Sequence, residues 1–158
     1  GVSKSYAMTG WRIGYCAADE TIIRAASAIQ DHTTSNPNSI AQYAALAALT
    51  GPQDNIAQMV LQYKKRRDYI VSRLGAIKGI TISKPQGAFY AFPNISALYR
   101  DGLRNSDEFC AKLLERAHVS AIPGSGFGDD RFARFSFAAS MEHIEEGMNR
   151  LEKFIKIL

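Results

Sequence analysis

Long apolar runs are absent from this 158-residue sequence. The longest mostly apolar stretch, residues 40–49, is interrupted by Gln42 and is far shorter than the roughly 18 apolar residues that cross a bilayer. The first residues also lack an apolar run that ends in small residues, which a secretory signal peptide would need. We therefore expect no membrane-spanning segment, no signal peptide and no membrane partner.

Cysteine and histidine are scarce, with two and three residues respectively. Cys16 and Cys110 lie far apart and form no C-x-x-C motif, and a chain of this length can bury a core without disulfides. The histidines are isolated from one another and from the cysteines, so no metal-ligand spacing occurs. These features favour a cytoplasmic protein with reduced thiols and no metal site.

Charge is only moderately unbalanced, with 19 lysines and arginines against 15 acidic residues, a net charge of +4 and a sequence pI of about 9.1. This balance permits a nucleic-acid partner. The only basic cluster, residues 64–67, has no basic and aromatic counterpart elsewhere that would complete a binding surface. We interpret the cluster as a solvated helix face and expect no nucleic-acid partner.

The spacing of apolar residues predicts both helices and strands. Helices are expected at residues 20–30, 39–50, 52–74, 106–117 and 141–157, and strands at residues 11–18, 80–83, 88–92, 119–122 and 132–138. In the second half, a small sheet covered by the long helix and the last helix is the most economical arrangement. The expected fold class is therefore α/β, with an α+β second half.

Two signals mark the boundaries of these elements. Asp19 is an acceptable N-cap for the first helix. Gly51 and Pro52 close one helix and open the next, because proline is tolerated in a first turn but not in a helix interior. This junction divides the chain into residues 1–51, a linking helix at residues 52–76, and residues 77–158.

A lysine and an arginine near the start form the first candidate site. Lys4 lies among small and apolar residues, Arg12 follows on the small-residue face of the predicted strand, and Gly10 can supply the turn that brings them together. A desolvated lysine has a lowered pKa and can attack a carbonyl to form an imine, and an arginine fork suits phosphate. The pair fits a phosphorylated aldehyde such as pyridoxal phosphate, but two solvated surface charges would have the same spacing.

Arg134 is the second candidate. It shares one face of a predicted strand with Phe132 and Ser136, while Phe135 and Phe137 occupy the other face. A charge in such an apolar strand needs a partner if it is buried. From the pattern alone, that partner is either a protein carboxylate in a structural ion pair or the carboxylate of a ligand.

The segment S-K-S-Y-A-M-T-G-W-R-I-G-Y, residues 3–15, resembles the lysine motif of the class I, fold-type I aminotransferases, and in particular their prokaryotic aspartate aminotransferase branch. The resemblance implies that Lys4 is the catalytic Schiff-base lysine. It also implies that Ser3 lies near the cofactor phosphate and that Arg12 binds it. Pyridoxal 5'-phosphate is therefore the expected cofactor.

Two later segments resemble the substrate side of the same family. P-Q-G-A-F-Y at residues 85–90 is similar to the strand entry beside the substrate, and the resemblance places Phe89 close to the substrate carboxylate. Residues 131–138 are similar to the strand that bears the arginine for the substrate α-carboxylate, which implies this role for Arg134. Without the resemblance, Phe89 would be interpreted as a core aromatic.

Other segments extend the resemblance along the chain. Residues 34–42 look like a loop and helix start near the family's dimer interface, so a homodimer is expected, and residues 123–128 match a glycine-rich turn. The resemblance makes residues 1–51 the C-terminal remnant of a large cofactor-binding domain. Residues 77–158 then form the small domain, joined to the remnant by the long linking helix.

The resemblance implies a pyridoxal-phosphate-dependent enzyme that transfers an amino group between an amino acid and a 2-oxo acid. Aspartate or glutamate is the expected amino donor, and this C-terminal portion is expected to be inactive alone. Residues 31–35 contain no arginine for a second substrate carboxylate, so other substrates stay open. The alternatives are a same-fold aminotransferase for aromatic, kynurenine or prephenate substrates, and a non-catalytic sensor domain of a transcription regulator.

Overall fold

The computed structural model describes residues 1–100 and 102–158, which divide into two compact units, Gly1–Met59 and Val60–Leu158. The helices are α1 (Val2–Ser5), α2 (Glu20–Thr33), α3 (Ser39–Thr50), α4 (Asp54–Gly75), α5 (Ser106–Ala117) and α6 (Met141–Lys156). The strands are β1 (Tyr90–Ala91), β2 (Ile122–Pro123) and β3 (Ala133–Ser136). Short 3₁₀ helices occur at Thr9–Trp11, Ser96–Leu98 and Gly124–Phe127. No helix among the described residues is long and apolar enough to cross a membrane.

Side-chain caps fix the helices of the first unit. Asp19 Oδ1 accepts hydrogen bonds from the Thr21 amide (2.9 Å) and hydroxyl (2.5 Å), which confirms the predicted start of α2. Asn38 Oδ1 accepts from the Ala41 amide at 3.1 Å and begins α3. Helix α3 has the predicted bounds, whereas α2 continues to Thr33, three residues beyond its predicted end.

The predicted strand at residues 11–18 is wrong. Thr9–Trp11 forms a 3₁₀ turn, Arg12 adopts a left-handed backbone with φ of 51°, and residues 13–19 have no regular structure. The alternation of side chains in this segment is compatible with a strand, but a strand also needs a partner for its backbone hydrogen bonds. None of the described residues pairs with this segment.

The junction between α3 and α4 also differs from the prediction. Helix α4 begins at Asp54, two residues after Pro52. Gln53 explains the delay, because its Nε2 donates to the carbonyls of Gly51 (2.7 Å) and Ala48 (3.1 Å) and so ties the turn to α3. Proline therefore lies in the connection between the helices instead of in the first turn of α4.

The second unit contains a three-stranded antiparallel sheet with the order β1-β3-β2. Tyr90 pairs with Ser136 on one side of β3, and Ile122 pairs with Arg134 on the other. Arg134 therefore lies on the central strand. The strand at residues 80–83 is reduced to one bridge, between Thr81 and Asn94.

The remaining strands are shorter than predicted for identifiable reasons. Ala88 has a left-handed backbone with φ of 57°, so β1 starts two residues later than expected. His118, at φ of 55°, caps the end of α5, and the Val119 amide bonds back to the Leu113 carbonyl at 3.5 Å. Residues that complete a helix cap cannot join a ladder, so β2 begins only at Ile122.

The core of the second unit lies between the sheet and its helices. Phe135 and Phe137 are buried against Phe109 of α5, Phe154 of α6 and Leu74 of α4. The side-chain alternation predicted for the last strand is therefore confirmed, and so is a small sheet covered by helices. Arg134 is left on the opposite face of the sheet, away from this core.

The basic cluster at residues 64–67 is a solvated helix face only in part. Lys64 and Lys65 are exposed, but the Arg66 guanidinium lies over the Tyr63 ring, with its Cζ 5.4 Å from the ring centroid. Arg67 is half-buried and forms an ion pair with its neighbour Asp68 at 2.8 Å. It also donates a hydrogen bond to the Pro85 carbonyl. Helical rotation of about 100° per residue turns the two halves of the run toward different surroundings.

Candidate functional site

Helix α1 carries Lys4 on its exposed side. Val2 and Met8 are buried with Ala45 of α3 and anchor the motif to the first unit. Residues two apart on a helix point in nearly opposite directions, since each step rotates by about 100°. Burial of Val2 therefore leaves Lys4 exposed, and the predicted desolvation of its amine is not found in this chain.

Thr9 links the two ends of the motif. Its Oγ1 donates to the Ser3 carbonyl at 2.9 Å, and its own carbonyl accepts from Arg12 Nη1 at 3.1 Å. The loop is closed by left-handed Ala7 and Arg12, and Gly10 needs no positive φ. The structure thus connects Arg12 to the residue preceding Lys4 through Thr9, a contact that sequence spacing did not reveal.

An open cavity of about 690 Å³ lies beside this loop. It is lined by Trp11 and Arg12 of the motif and by Asn38 and Ile40 at the start of α3. The exposed Arg12 guanidinium offers a planar donor fork that suits a phosphate. The space and the donor suit the phosphate end of pyridoxal phosphate, and a lysine amine such as that of Lys4 is the group that reacts with its aldehyde end.

Two aromatic rings contact Arg134 in the second unit. Its Cζ lies 4.3 Å from the Tyr90 ring centroid and 4.7 Å from that of Phe127. The side chain is half-buried. Among residues 1–100 and 102–158, no acidic side chain forms an ion pair with Arg134, so the structural ion pair considered from the sequence is not present there.

Phe89 is half-buried at the edge of the core. Its ring centroid lies 4.5 Å from that of Tyr90 and 6.3 Å from that of Tyr63, and its carbonyl accepts from the Phe137 amide at 2.9 Å. These contacts are those of a packing aromatic. They also place Phe89 next to Tyr90, one of the rings on Arg134.

The glycine-rich turn at Gly124–Phe127 is tightly built. A Cβ on Gly124 would lie 2.2 Å from the Asp129 carbonyl oxygen and 2.4 Å from that of Phe132, so only glycine fits. Gly128 then reverses the chain with φ of 84°. The turn ends with Phe127, whose ring lies on Arg134, and this role was not predicted from the sequence.

A polar network around buried Ser106 holds the turn in place. Ser106 is fully buried; its Oγ donates to Asp130 Oδ1 at 2.5 Å and accepts from the Ser125 amide at 3.2 Å. The Tyr99 hydroxyl donates to the Asp130 carbonyl at 2.5 Å, and burial is the main reason that the pKa of Tyr99 rises to about 12. In the sequence, Ser106 shows only the polar character of a helix start.

Charge also stabilises the loop that follows the turn. Arg131 donates to Asp129 through Nε (2.9 Å) and Nη2 (2.6 Å), and its amide donates to the same carboxylate at 3.1 Å. These hydrogen bonds, with the side chain contributing most, lower the pKa of Asp129 to about 2. The side chains are partly exposed, so the pair fixes local geometry more than it adds to global stability.

The candidate residues are divided between the two units. Ser3, Lys4 and Arg12 belong to the first unit, and Phe89 and Arg134 belong to the second. Each group is assembled within its own unit, by the Thr9 hydrogen bonds in the first and by the aromatic contacts in the second. The first group offers an amine and a guanidinium that can donate hydrogen bonds to a phosphate. The second offers a guanidinium that can donate hydrogen bonds to a carboxylate.

The chain is similar to aminotransferases over nearly its whole length. The family model described as aminotransferase class I and II matches residues 1–151, and the chain therefore belongs to this family, which uses pyridoxal phosphate. The aspartate aminotransferase of Geobacillus stearothermophilus is 49% identical over 99% of this chain and 40% of its own length. The family resemblance drawn from the lysine motif is thus confirmed.

Two further relatives show the same extent of similarity. The aspartate/prephenate aminotransferase of Nitrosomonas europaea is 45% identical over 98% of this chain and 41% of its own length. The crystal structure of the aspartate aminotransferase from Rhizobium meliloti has a TM-score of 0.95 and 40% identity, covering 99% of this chain and 40% of that one. The chain spans about 40% of the length of the relatives it matches.

Proposed function

We propose that the whole protein to which this chain belongs is a pyridoxal-phosphate-dependent aminotransferase. It moves an amino group between an amino acid, aspartate or glutamate, and a 2-oxo acid. The observation that carries the proposal is the loop in which Thr9 joins Arg12 to the residue preceding Lys4, beside a cavity that fits a phosphorylated ligand. The similarity to aspartate aminotransferases over nearly the whole chain supports it.

Three residues of the first unit would hold the cofactor. Arg12 would bind the phosphate through its guanidinium, Ser3 would lie beside the phosphate, and Lys4 Nζ would hold the aldehyde carbon as an imine, with release of water. When bound, pyridoxal phosphate supplies an electron-withdrawing ring that stabilises negative charge at the substrate α-carbon. Once the substrate amine has displaced it from the cofactor, the freed Lys4 Nζ would act as the general base that takes the proton from the substrate α-carbon and carries it to the cofactor's former aldehyde carbon.

Two residues of the second unit would hold the substrate. Arg134 binds the α-carboxylate through two parallel hydrogen bonds, and this fixes the direction of the bond that loses its proton. Phe89 packs close to that carboxylate and limits its movement. In this proposal, Arg12 binds the cofactor phosphate and Arg134 binds the substrate α-carboxylate.

The organisation of the whole protein follows from the same proposal. Residues 1–51 belong to a large cofactor-binding domain, residues 52–76 form the linking helix and residues 77–158 form the small domain. The protein is a cytoplasmic homodimer with residues 34–42 near its interface. Its substrates are small molecules, an amino acid and a 2-oxo acid, and it has no nucleic-acid or membrane partner.

Reductive trapping tests the role of Lys4. The whole protein with bound pyridoxal phosphate is reduced with borohydride, digested and mapped, and the label is expected on Lys4. The Lys4→Ala variant should lose both the label and turnover, whereas Lys65→Ala, which removes an exposed lysine of α4, should keep both. A label on Lys64, Lys65 or Lys84 in the parent protein would contradict the proposal.

A second candidate function has specific support. A relative with 45% identity is named an aspartate/prephenate aminotransferase, so the whole protein is also a candidate for prephenate as amino acceptor. Aromatic amino acids and kynurenine are the further substrates of this alternative. Turnover measured with aspartate and with each of these substrates separates the candidates, and any turnover contradicts a purely sensory role.

A further inference from the structure

We propose that Phe127, together with Tyr90, is a positioning residue that orients the Arg134 guanidinium for the substrate carboxylate. The inference rests on the proposed function, because it assigns the neighbours of Arg134 a part in substrate binding. Neither ring is proposed to touch the reacting atoms. Their effect on the reaction passes through Arg134.

The distances establish the contact. A cation within about 6 Å of a ring centroid is attracted by the ring, and both centroids lie well inside this limit, at 4.3 Å and 4.7 Å from Arg134 Cζ. Tyr90 has ring contacts with Phe89, and Phe127 with Phe92. The described ring pairs do not include Tyr90 with Phe127, so each of the two rings contacts the guanidinium with its own aromatic neighbour beside it.

Ring contacts restrain an arginine without using its hydrogen-bond donors. A guanidinium stacks through its flat faces and donates through its N–H edge, so the rings limit rotation and leave the edge for a ligand. A protein carboxylate would orient the guanidinium as well, but it would compete with the substrate for the same N–H groups. Aromatic restraint therefore suits an arginine that must bind and release a carboxylate in each cycle.

The backbone of the turn restrains the position of Phe127. The ring is 49% exposed, so burial of its own surface is not sufficient to explain a rigid setting. Yet Gly124 sits where no Cβ fits, and the turn is pinned by the hydrogen bond from the Ser125 amide to buried Ser106. A turn held this firmly presents the Phe127 ring to Arg134 at a fixed position.

Loss of the ring should weaken substrate binding selectively. A partly desolvated ring–cation contact corresponds to a change of about threefold to thirtyfold in an equilibrium constant. We expect Phe127→Leu to raise KM for the amino donor and Kd for a non-reacting dicarboxylate by this factor. The visible absorbance of the bound cofactor should change little, since Arg12 and Lys4 belong to the other unit.

The experiment is a double-mutant cycle in the whole protein. Phe127→Leu and Arg134→Gln are made singly and together, and KM, kcat, dicarboxylate Kd and the thermal midpoint are measured for each. Phe127→Tyr keeps a ring and should restore parental KM and Kd. Tyr69→Leu is the matched control, because it removes a ring under a different arginine, Arg73, whose Cζ lies 5.5 Å from the Tyr69 centroid.

The proposal predicts coupling: in the Arg134→Gln background, Phe127→Leu should have no further effect on dicarboxylate Kd. Equal effects in both backgrounds would overturn it, because Phe127 would then act without Arg134. A lower thermal midpoint with unchanged KM and Kd, as expected for Tyr69→Leu, would overturn it as well. If Arg134→Gln alone leaves Kd unchanged, the carboxylate role of Arg134 in the proposed function fails instead.

Discussion

Two arginines in different units are the proposed anion-binding residues of this chain. Arg12 leaves a 3₁₀ turn in a left-handed conformation, and its guanidinium is exposed beside the cavity of the first unit. Arg134 lies on the central strand of the small sheet and contacts two rings. The separation of the two sites means that substitutions at one should affect a different ligand from substitutions at the other.

The first prediction compares these arginines in the whole protein. Arg134→Ala removes charge-assisted hydrogen bonds to the α-carboxylate, worth about 1.5–3 kcal/mol each, and should lower kcat/KM at least about a hundredfold. Cofactor retention on a desalting column should be unchanged. Arg12→Ala should reverse the pattern and release cofactor first. Near-parental kcat/KM for Arg134→Ala with a lower melting temperature would assign that residue a structural role only.

The sequence alone was sufficient to predict where a side chain lies when its position depends on residues close to it in the chain. The alternation from Phe132 to Phe137 was sufficient to place Arg134 opposite the core, because a strand alternates its faces regardless of what packs on it. The exposure of Lys4 was not predictable, since it depends on Val2 being buried against a helix some forty residues away. The contact of the Phe127 ring with Arg134 was not predicted either, because it arises from the shape of a turn and not from the periodicity of the sequence.

At the scale of single elements, the turn at Gly124–Phe127 shows the most demanding geometry. Gly124 faces two backbone carbonyl oxygens at distances that no Cβ could tolerate, whereas an ideal Cβ on Gly126 meets nothing within 4 Å. The two glycines share one turn and one sequence motif. They differ only in what surrounds them.

The second prediction uses this pair. Gly124→Ala should lower the free energy of unfolding by at least about 2 kcal/mol, because the backbone must move to admit the methyl group. Gly126→Ala should change it by less than about 0.5 kcal/mol. Urea unfolding followed by circular dichroism measures both. Equal effects of the two substitutions would show that the turn is more adaptable than its geometry indicates.

The third prediction concerns the loop that follows the turn. Hydrogen bonds from Arg131 lower the pKa of Asp129 from 3.8 to about 2, so the folded state holds this proton less tightly than the unfolded state. The ionised carboxylate therefore stabilises the fold above about pH 4, and this contribution is lost as the pH falls toward about 2.

Asp129→Asn tests this dependence, because it removes the charge and keeps one of the two acceptor oxygens. Urea unfolding of the parent and the variant is compared across the acid range. The difference between their free energies of unfolding should be largest near neutrality and should shrink as the pH falls from about 4 through about 2. A difference that stays constant with pH would mean that hydrogen-bond geometry, and not ionisation, is what the substitution disturbs.

Helices were predicted more accurately than strands in this chain. The bounds of α3 and α5 are those predicted, because asparagines at positions 38 and 105 cap them with local hydrogen bonds. Strand lengths depend on distant partners and on single left-handed residues such as Ala88 and His118. Neither alanine nor histidine signals a positive φ, so the short strands could not be inferred from composition.

At the scale of the whole molecule, the two units differ in the size of their cores. The second unit has a continuous core that includes Phe109, Phe135 and Phe154. The buried cluster of the first unit consists of Val2, Met8 and Ala45. Its helices expose large apolar residues such as Ile29 and Tyr43.

The fourth prediction follows from this difference and from the share of its relatives that the chain spans. The isolated 158-residue chain should bind pyridoxal phosphate weakly and should not transfer amino groups. Lys4 and Arg12 lie in the unit with the small core, and the family resemblance assigns ring stacking and the pyridine partner to residues outside this chain. Titration with pyridoxal phosphate and a transamination assay measure both properties. Tight, saturable binding with turnover near that of the whole protein would contradict it.

Trp11 allows the unfolding of the first unit to be followed by fluorescence. It is the only tryptophan of the chain, it is 48% exposed, and it lines the cavity beside Arg12. Tryptophan emission excited at the red edge of its absorption band therefore originates in the first unit alone, whereas far-ultraviolet circular dichroism also records α5 and α6. Recorded side by side during denaturation, the two signals would distinguish a first unit that loses structure early from a chain that melts in one step.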